Sequence, residues 1–149
     1  QACRDLGAAL AINYKTQDFA EEVNKFTDGR GADVILDMVG SDYLQRELDC
    51  LAADGRISVI ATLGGSSAEI NVTKLMLKRH TISGSTLRTR SVEFKSAIAD
   101  ALRAQVWPLI EAGQIKPEIF AVLPLAQAAE AHAILEEGHH IGKVMLSTG

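Results

Sequence analysis

Two kinds of hydrophobic pattern alternate along the chain. In one, apolar residues recur every three or four positions, which is the spacing of one face of an α-helix. In the other, apolar and β-branched residues form short, nearly continuous runs, as in parallel strands that helices cover on both faces. The helical pattern occupies residues 1–6, 18–28, 42–51, 71–77, 93–113 and 126–137. The strand pattern occupies residues 8–14, 32–39, 56–63, 81–90, 118–123 and 143–147.

Repeated strand and helix units of this length predict an α/β fold with a doubly wound, mostly parallel, Rossmann-like sheet and right-handed crossovers. Pro108 is expected to bend the long helix over 93–113 near Ala104. Ligands on such sheets bind beyond the carboxyl ends of the strands. The segments to consider are therefore Tyr14–Lys15, Asp37–Ser41 and Ala61–Ser67.

Composition narrows the class of protein. The 149 residues, 47% of them hydrophobic, suffice for one compact domain with a core. A net charge of -4 without a basic stripe makes nucleic acid an unexpected partner. Cys3 and Cys50 stand far apart and form no CxxC motif, which fits a reducing, cytoplasmic setting. No segment has the pattern of a signal peptide or a membrane span, so a small-molecule ligand and no membrane are expected.

The glycine fingerprint of a dinucleotide-binding loop is missing. That loop lies between a strand and the helix after it, where backbone N–H groups reach a pyrophosphate. Gly29-Arg30-Gly31 instead leads from a helix into a strand, and Val34 stands where the third glycine is needed. Because the chain opens inside a predicted helix, the phosphate loop is expected upstream of Gln1, in a sequence truncated at its N-terminal end.

Several polar groups near the strand ends have two interpretations. Gly64-Gly65-Ser66-Ser67 either lets the backbone approach a flat ring or serves as a connector. Tyr14 and Lys15 either cradle a phosphate or form an exposed pair. The favoured interpretation of Asp37 is that it orients the turn at Gly40 through backbone N–H groups.

Other candidate chemistry is weaker. His139 and His140 lack acidic or thiol ligands at metal spacing, and solvated turn histidines are favoured there. No serine stands in a G-x-S-x-G elbow. The residues therefore predict neither a metal site nor a catalytic nucleophile.

Five segments together resemble the zinc-independent, zeta-crystallin-like quinone oxidoreductases of the medium-chain dehydrogenase/reductase superfamily. The segments are NYK at 13–15, GRGADVILDMVG at 29–40, LAADGRISVIATLGG at 51–65, KRHTISGSTLRTR at 78–90 and HIGKVMLS at 140–147. They occur in order and cover essentially the whole chain. The chain is thus identified as a C-terminal fragment of such a protein.

The resemblance implies NADPH as cofactor and assigns no catalytic residue in this chain. Tyr14 resembles the tyrosine that contacts the adenosine 2'-phosphate. Val39 and Gly40 resemble the turn under the cofactor, and Thr62, Leu63, Gly64 and Gly65 resemble the loop beside its nicotinamide half. Thr86, Leu87 and Arg88 resemble the segment that lines the nicotinamide and substrate cleft. His140 and Lys143 belong to the return strand, which lies close to the cofactor in relatives.

The resemblance also implies an organisation for the chain. Residues 1–113 are expected to form part of a dinucleotide-binding domain, and residues 114–149 a return segment of a GroES-like substrate domain, most of which lies upstream. The implied reaction is hydride transfer from the nicotinamide to a quinone without metal, and the fragment alone is expected to be inactive. A homodimer through the edge strand near Thr81 to Leu87 is implied as well.

Three alternatives stay open. The first is an alkenal or enoyl reductase of the same superfamily, because the missing domain largely determines the substrate. The second is a non-catalytic dimerisation module. The third, a methyltransferase-like sheet that binds S-adenosylmethionine, is disfavoured because no acidic residue closes a second strand after a glycine-rich loop.

Overall fold

A computed structural model describes the whole chain, residues 1–149. The helices are α1 (Ala2–Asp5), α2 (Phe19–Phe26), α3 (Tyr43–Cys50), α4 (Val72–Leu77), α5 (Val92–Gln105), α6 (Trp107–Glu111) and α7 (Ala128–Glu137). The strands are β1 (Ala32–Asp37), β2 (Leu51–Val59), β3 (Thr81–Gly84), β4 (Ile119–Pro124) and β5 (Lys143–Ser147). A 3-10 turn, Leu125–Gln127, precedes α7. None of the helices is both long enough and apolar enough to span a lipid bilayer.

All strand pairs are parallel. The first three strands form one sheet in the order β1-β2-β3, and β4 pairs with β5 in a second. In the first sheet Ile57 of β2 lies between Ile35 of β1 and Ile82 of β3. This arrangement confirms the predicted α/β class with mostly parallel strands, and it aligns the carboxyl ends of β1, β2 and β3 along one edge.

The core of the first sheet lies between β2 and α3. Leu48, Leu51 and Ile57 are fully buried, and partly buried apolar residues pack around them: Ile35, Leu44, Val59, Ile70 and Ile82. Side-chain caps begin three of the helices. Asp18, Asn71 and Ser91 each accept a hydrogen bond from a backbone N–H in the first turn, at α2, α4 and α5 respectively.

The expectation of a strand over residues 8–14 is wrong. The segment has no regular structure, and a turn begins at Tyr14. A parallel strand exists only when a neighbour takes its backbone hydrogen bonds, and no strand of the chain pairs with this segment. The apolar run is therefore left without the pairing that its pattern predicts.

Other boundaries differ from prediction as well: β2 ends at Val59 rather than Leu63, and β3 ends at Gly84, after which the rest of the expected strand over residues 81–90 is a loop. Strand β2 begins at Leu51 rather than Arg56, because the Asp54–Gly55 turn lies inside it: Ala32 pairs with Leu51 and Val34 with Arg56. Asp54 has φ 62, so the extra residues loop out. The long helix expected over 93–113 separates into α5 and α6 at Val106, two residues after the bend expected near Ala104. Pro108 lies in the first turn of α6, a position that tolerates proline.

The chain forms two compact units, one comprising residues 3–90 and the other residues 91–149. In the second unit α7 packs on β4 and β5, and Gly138 ends α7 with φ 66. The assignment of residues 114–149 to a GroES-like substrate domain stays a prediction.

Candidate functional site

The turn that follows β1 is held by Asp37, whose side chain is only 2% exposed. Its Oδ1 accepts hydrogen bonds from the backbone N–H groups of Val39, at 2.6 Å, and Gly40, at 3.0 Å. Both donors lie two or three residues further along the chain, so the carboxylate closes the turn locally. The structure thus bears out the interpretation of Asp37 as the residue that orients the turn at Gly40.

Backbone hydrogen bonds join this turn to the loop after β2. The N–H of Leu63 donates to the carbonyl of Met38 at 3.1 Å, and the N–H of Gly64 donates to that of Val39 at 2.8 Å. Gly40 and Gly65 form a parallel bridge. Gly40 has φ 67, and a Cβ there would lie 2.9 Å from the Gly65 carbonyl oxygen. Only glycine allows both that backbone conformation and this approach. The two loops form one unit at the carboxyl edge of the sheet.

A cavity of about 390 Å³ opens beside this unit, at the carboxyl ends of β2 and β3. Its lining residues are Val59, Ile60, Ala61, Thr62, Gly84, Ser85, Thr86 and Arg90. The lining contains three hydroxyl groups and a guanidinium group but no carboxylate. Such a donor set suits an anionic or hydroxyl-rich ligand, and the position is the one at which parallel α/β sheets bind dinucleotides.

These residues fit part of a nicotinamide dinucleotide. The edge supplies hydroxyl donors from Thr62 and Thr86 and a close-packed turn at Gly40. It supplies no phosphate loop, since neither the turn between β1 and α3 nor the loop between β2 and α4 has the G-x-G-x-x-G spacing. The cofactor-binding roles of the individual residues stay predictions.

Tyr14 belongs to a different cavity, of about 260 Å³, and is 62% exposed. The cavity is almost entirely apolar, with Glu47 its only carboxylate: the other lining residues are Ile12, Phe19, Val23, Ala32, Ile35, Tyr43 and Cys50. Arg46 lies over the Phe19 ring, at 4.3 Å from its centroid, and pairs with Asp18. Lys15, the expected companion of Tyr14, is exposed.

Glu47 is a buried carboxyl group that the sequence reasoning missed. It is 5% exposed, and its Oε2 has no hydrogen-bond partner. Burial, followed by the negative charge of Asp37 and hydrogen bonding to it, raises the pKa of Glu47 to about 7. In the sequence, Glu47 is one of several polar residues of an amphipathic helix. Only the rotational position of that helix, which places Glu47 beside the buried Leu48, could have shown that its carboxyl group is buried.

Other predicted site residues are scattered. Leu87 and Arg88 lie in the exposed loop after β3, next to Thr86. His140 and Lys143 belong to the second unit, where the His140 ring packs edge-on against Phe120 and the N–H of Lys143 donates to the Glu118 carbonyl at 2.8 Å. His, Cys, Asp and Glu side chains form no group of three or more that could hold a metal ion.

The family model for zinc-binding dehydrogenases matches residues 6–146. The chain belongs to this family. Among curated proteins, the chain is 32% identical to a 2-haloacrylate reductase of Burkholderia sp. over 98% of its own length. It is 31% identical to the quinone oxidoreductase of Homo sapiens over 94% of its length. The expected membership of the medium-chain dehydrogenase/reductase superfamily, beside quinone oxidoreductases, is confirmed.

Solved structures agree with the fold. An NAD-dependent alcohol dehydrogenase matches 99% of the chain with a TM-score of 0.74 and 33% identity. A 2-haloacrylate reductase structure matches 98% with a TM-score of 0.70 and 30% identity. The chain covers 40% and 46% of those structures, and 44% and 41% of the two curated relatives. It therefore spans less than half of a complete relative.

Proposed function

We propose that the whole protein containing this chain is an NADPH-dependent quinone oxidoreductase. The observation that carries the proposal is the cavity at the carboxyl ends of β2 and β3, to which Thr62, Ser85 and Thr86 contribute hydroxyl groups, beside the joined turns at Gly40 and Gly65. A nicotinamide cofactor would supply a hydride to a quinone there. Relatives named as quinone oxidoreductases, at about 30% identity, support the choice of substrate class.

The chain's own part in this reaction is binding and orientation. The turn of Val39 and Gly40 and the loop of Thr62 to Gly65 would form the surface under the cofactor, and Thr86 to Arg88 would border the substrate side. His140 and Lys143 are included as cofactor contacts on the resemblance alone. None of these residues is required as a catalytic acid, so positioning in a water-poor cleft would account for the rate. We also propose that the reaction requires no zinc ion.

The chain supplies only one side of the site. The phosphate loop and the GroES-like substrate domain would come from sequence upstream of Gln1, with residues 1–113 and 114–149 completing the two domains. Tyr14 would contact the adenosine 2'-phosphate and so favour NADPH over NADH. The chain alone would then be inactive, and the whole enzyme would act in the cytoplasm on a small molecule without binding membrane or nucleic acid.

The direct test is turnover by the full-length protein. NADPH oxidation is followed at saturating 1,4-benzoquinone, with NADH at equal concentration as the comparison. We expect quinone-dependent oxidation with a higher kcat/KM for NADPH. Absence of oxidation with any quinone acceptor would overturn the substrate assignment, and equal kcat/KM values for the two nucleotides would overturn the selectivity.

A second candidate is a reductase of carbon–carbon double bonds activated by a carbonyl group. The observation that favours it is the similarity to the Burkholderia 2-haloacrylate reductase, which covers 98% of the chain. The same binding edge would serve this reaction, because only the hydride acceptor differs. Turnover with 2-chloroacrylate or an enone, but not with quinones, would establish this alternative.

We also propose a homodimer through β3. One side of β3 pairs with β2, and no strand occupies the other. The N–H of Ser85 donates to Val59 of β2, so by strand alternation the N–H of Ser83 faces β2 and that of Gly84 faces the open edge. Gly84→Pro should therefore shift light scattering from dimer to monomer, whereas Ser83→Pro should damage the sheet itself. A dimer that survives Gly84→Pro would contradict this interface.

A further inference from the structure

Two carboxyl groups lie under the turn at Gly40: Ile35 of β1 and Glu47 line the same cavity, strand alternation places Asp37 on the same face of β1 as Ile35, and the Glu47 and Asp37 carboxyl groups interact. Asp37 lies at the end of β1 and Glu47 on α3, and both are almost completely buried. The nearby cations point elsewhere: Arg46 pairs with Asp18, and Lys74 pairs with Asp49. The other ionisable groups around Glu47 are the Cys50 thiol and the phenol groups of Tyr14 and Tyr43, which line the same cavity. No positive charge therefore balances the pair.

The roles of the two carboxyl groups are unequal. Both oxygens of Asp37 accept hydrogen bonds from the turn, Oδ1 from Val39 and Gly40 and Oδ2 from Gly40 at 3.1 Å. Both oxygens of Asp37 are therefore occupied by the backbone of the turn. Glu47 receives no such donor at Oε2. Since two buried carboxylates without a cation repel each other, Glu47 is the member of the pair that keeps a proton.

We propose that Glu47 is a positioning residue for the cofactor turn: its neutral carboxyl group supports Asp37, and loss of its proton loosens the turn of Val39 and Gly40. The proposal rests on the proposed function in so far as this turn binds the nucleotide. Glu47 does not touch the reacting atoms. Its effect passes through Asp37 to the backbone that would lie under the cofactor.

A specific pH dependence follows. The pKa of Glu47 is raised to about 7, so the group is neutral at pH 6 and largely ionised at pH 8.5. Burial, together with the neighbouring charge of Glu47, raises the pKa of Cys50 to about 11, so the thiol stays neutral over this range. Ionisation of Glu47 adds a second negative charge beside Asp37. The KM for NADPH should then rise with pH, while kcat changes little.

The enzymatic test measures KM and kcat for NADPH from pH 6 to 8.5 in the full-length protein and in Glu47→Gln. We expect KM of the unsubstituted protein to rise by roughly three- to tenfold, which corresponds to ~0.7–1.4 kcal/mol. KM of Glu47→Gln should stay nearly constant, because the amide is neutral throughout. Glu21→Gln is the control, since it makes the same change on an exposed side chain, and it should keep the pH dependence.

A second readout needs no cofactor. In full-length protein labelled with carbon-13 at the glutamate carboxyl and nitrogen-15 in the backbone, one carboxyl signal should titrate near pH 7 and vanish in Glu47→Gln. The amide signals of Val39 and Gly40 should follow the same titration. Amide signals that do not move with pH would overturn the positioning role, whether or not NADPH is oxidised. Moving amide signals in a protein that never oxidises NADPH would instead reject the proposed function and leave the carboxyl pair standing.

Discussion

The turn at Gly40 and the segment around Tyr14 are both candidate cofactor contacts at predicted strand ends, yet the structure treats them differently. The Gly40 turn is buried and tied to Asp37 and to the loop of Gly64 and Gly65. Tyr14 is exposed, and the turn that contains it is closed by Asn13, whose side chain accepts from the N–H of Lys15 at 3.1 Å. The Gly40 turn is held by contacts distant in sequence as well as by local ones, whereas the hydrogen bonds of the Tyr14 turn come from neighbours in sequence.

The difference shows what a binding edge requires. The strand before Gly40 has a parallel neighbour, so its end meets the loop of the next strand at a fixed position. The run before Tyr14 has the composition of a strand but no partner within the chain. A strand end becomes a defined site only when the sheet around it is complete. Substitutions should therefore be costly at Gly40 and mild near Tyr14.

The largest contrast is expected for alanine at glycines of the two regions. Gly40→Ala forces a side chain into φ 67 and brings its Cβ to 2.9 Å from a backbone oxygen, so we expect a loss of ~3–4 kcal/mol in the free energy of unfolding. Gly7→Ala, in the N-terminal segment, meets nothing within 4 Å at φ 96 and should cost ~1–2 kcal/mol from backbone strain alone. Urea unfolding of the full-length variants measures both. Equal losses would mean that the contact between the two loops contributes nothing.

The next contrast removes the side-chain acceptor in each turn. Asp37→Ala leaves the N–H groups of Val39 and Gly40 without their acceptor in a buried position, and we expect a loss of ~2–3 kcal/mol. Asn13→Ala removes the acceptor of the Lys15 N–H, but water can replace it, and the loss should stay below ~1 kcal/mol. The same urea series compares them. A smaller loss of stability in Asp37→Ala would show that the turn keeps its structure without the Asp37 carboxylate.

A smaller contrast concerns pH and stability. The pKa of Glu47 is raised from 4.5 to about 7 on folding, so the proton is bound more tightly in the folded state. Its stabilising contribution is complete below pH 4.5 and declines as pH rises through 7. Between pH 5 and 8 the protein should lose ~2–3 kcal/mol from this group.

Thermal or urea unfolding of Glu47→Gln at the same pH values isolates this contribution, because the amide does not titrate. The unsubstituted protein should lose its stability advantage over Glu47→Gln as pH rises. A constant difference between the two proteins from pH 5 to 8 would show that Glu47 keeps its ordinary titration. The Tyr14 segment carries no comparable buried acid, so Tyr14→Phe should leave the pH profile unchanged.

The pattern of the sequence predicted most elements because their partners lie within the chain. The strand of Ala32–Asp37 and the helix of Phe19–Phe26 have local signals that their tertiary contacts reinforce. The prediction of a strand before Tyr14 was wrong because the hydrophobic pattern indicates which residues are suited to burial. It does not indicate whether a neighbouring strand is present to pair with them. The early start of β2 was missed because an Asp-Gly pair is typical of a turn that ends a helix. Asp54-Gly55 instead belongs to the residues that loop out within the strand.

The candidate site divides in the same way. The role of Asp37 at the Gly40 turn was predictable, since an acidic residue shortly before a glycine often accepts local backbone N–H groups. The meeting of Gly40 with Gly65 depends on the pairing of β1 with β2 and could be expected only once the sheet was proposed. The contact of Glu47 with Asp37 required the rotational position of α3, which a single sequence leaves open because polar residues usually face solvent.

The smallest effect on stability, and the sharpest on specificity, is expected at Tyr14. Because Tyr14 is 62% exposed, Tyr14→Phe should change the free energy of unfolding by less than ~0.5 kcal/mol.

If the Tyr14 hydroxyl group donates to the adenosine 2'-phosphate, KM for NADPH should rise by about three- to tenfold in Tyr14→Phe, because a hydrogen bond to a charged group is lost. KM for NADH should stay the same, since NADH has no phosphate at that position. Steady-state kinetics of the full-length variant with both nucleotides measure the ratio. An unchanged ratio would show that the Tyr14 hydroxyl group does not recognise the phosphate.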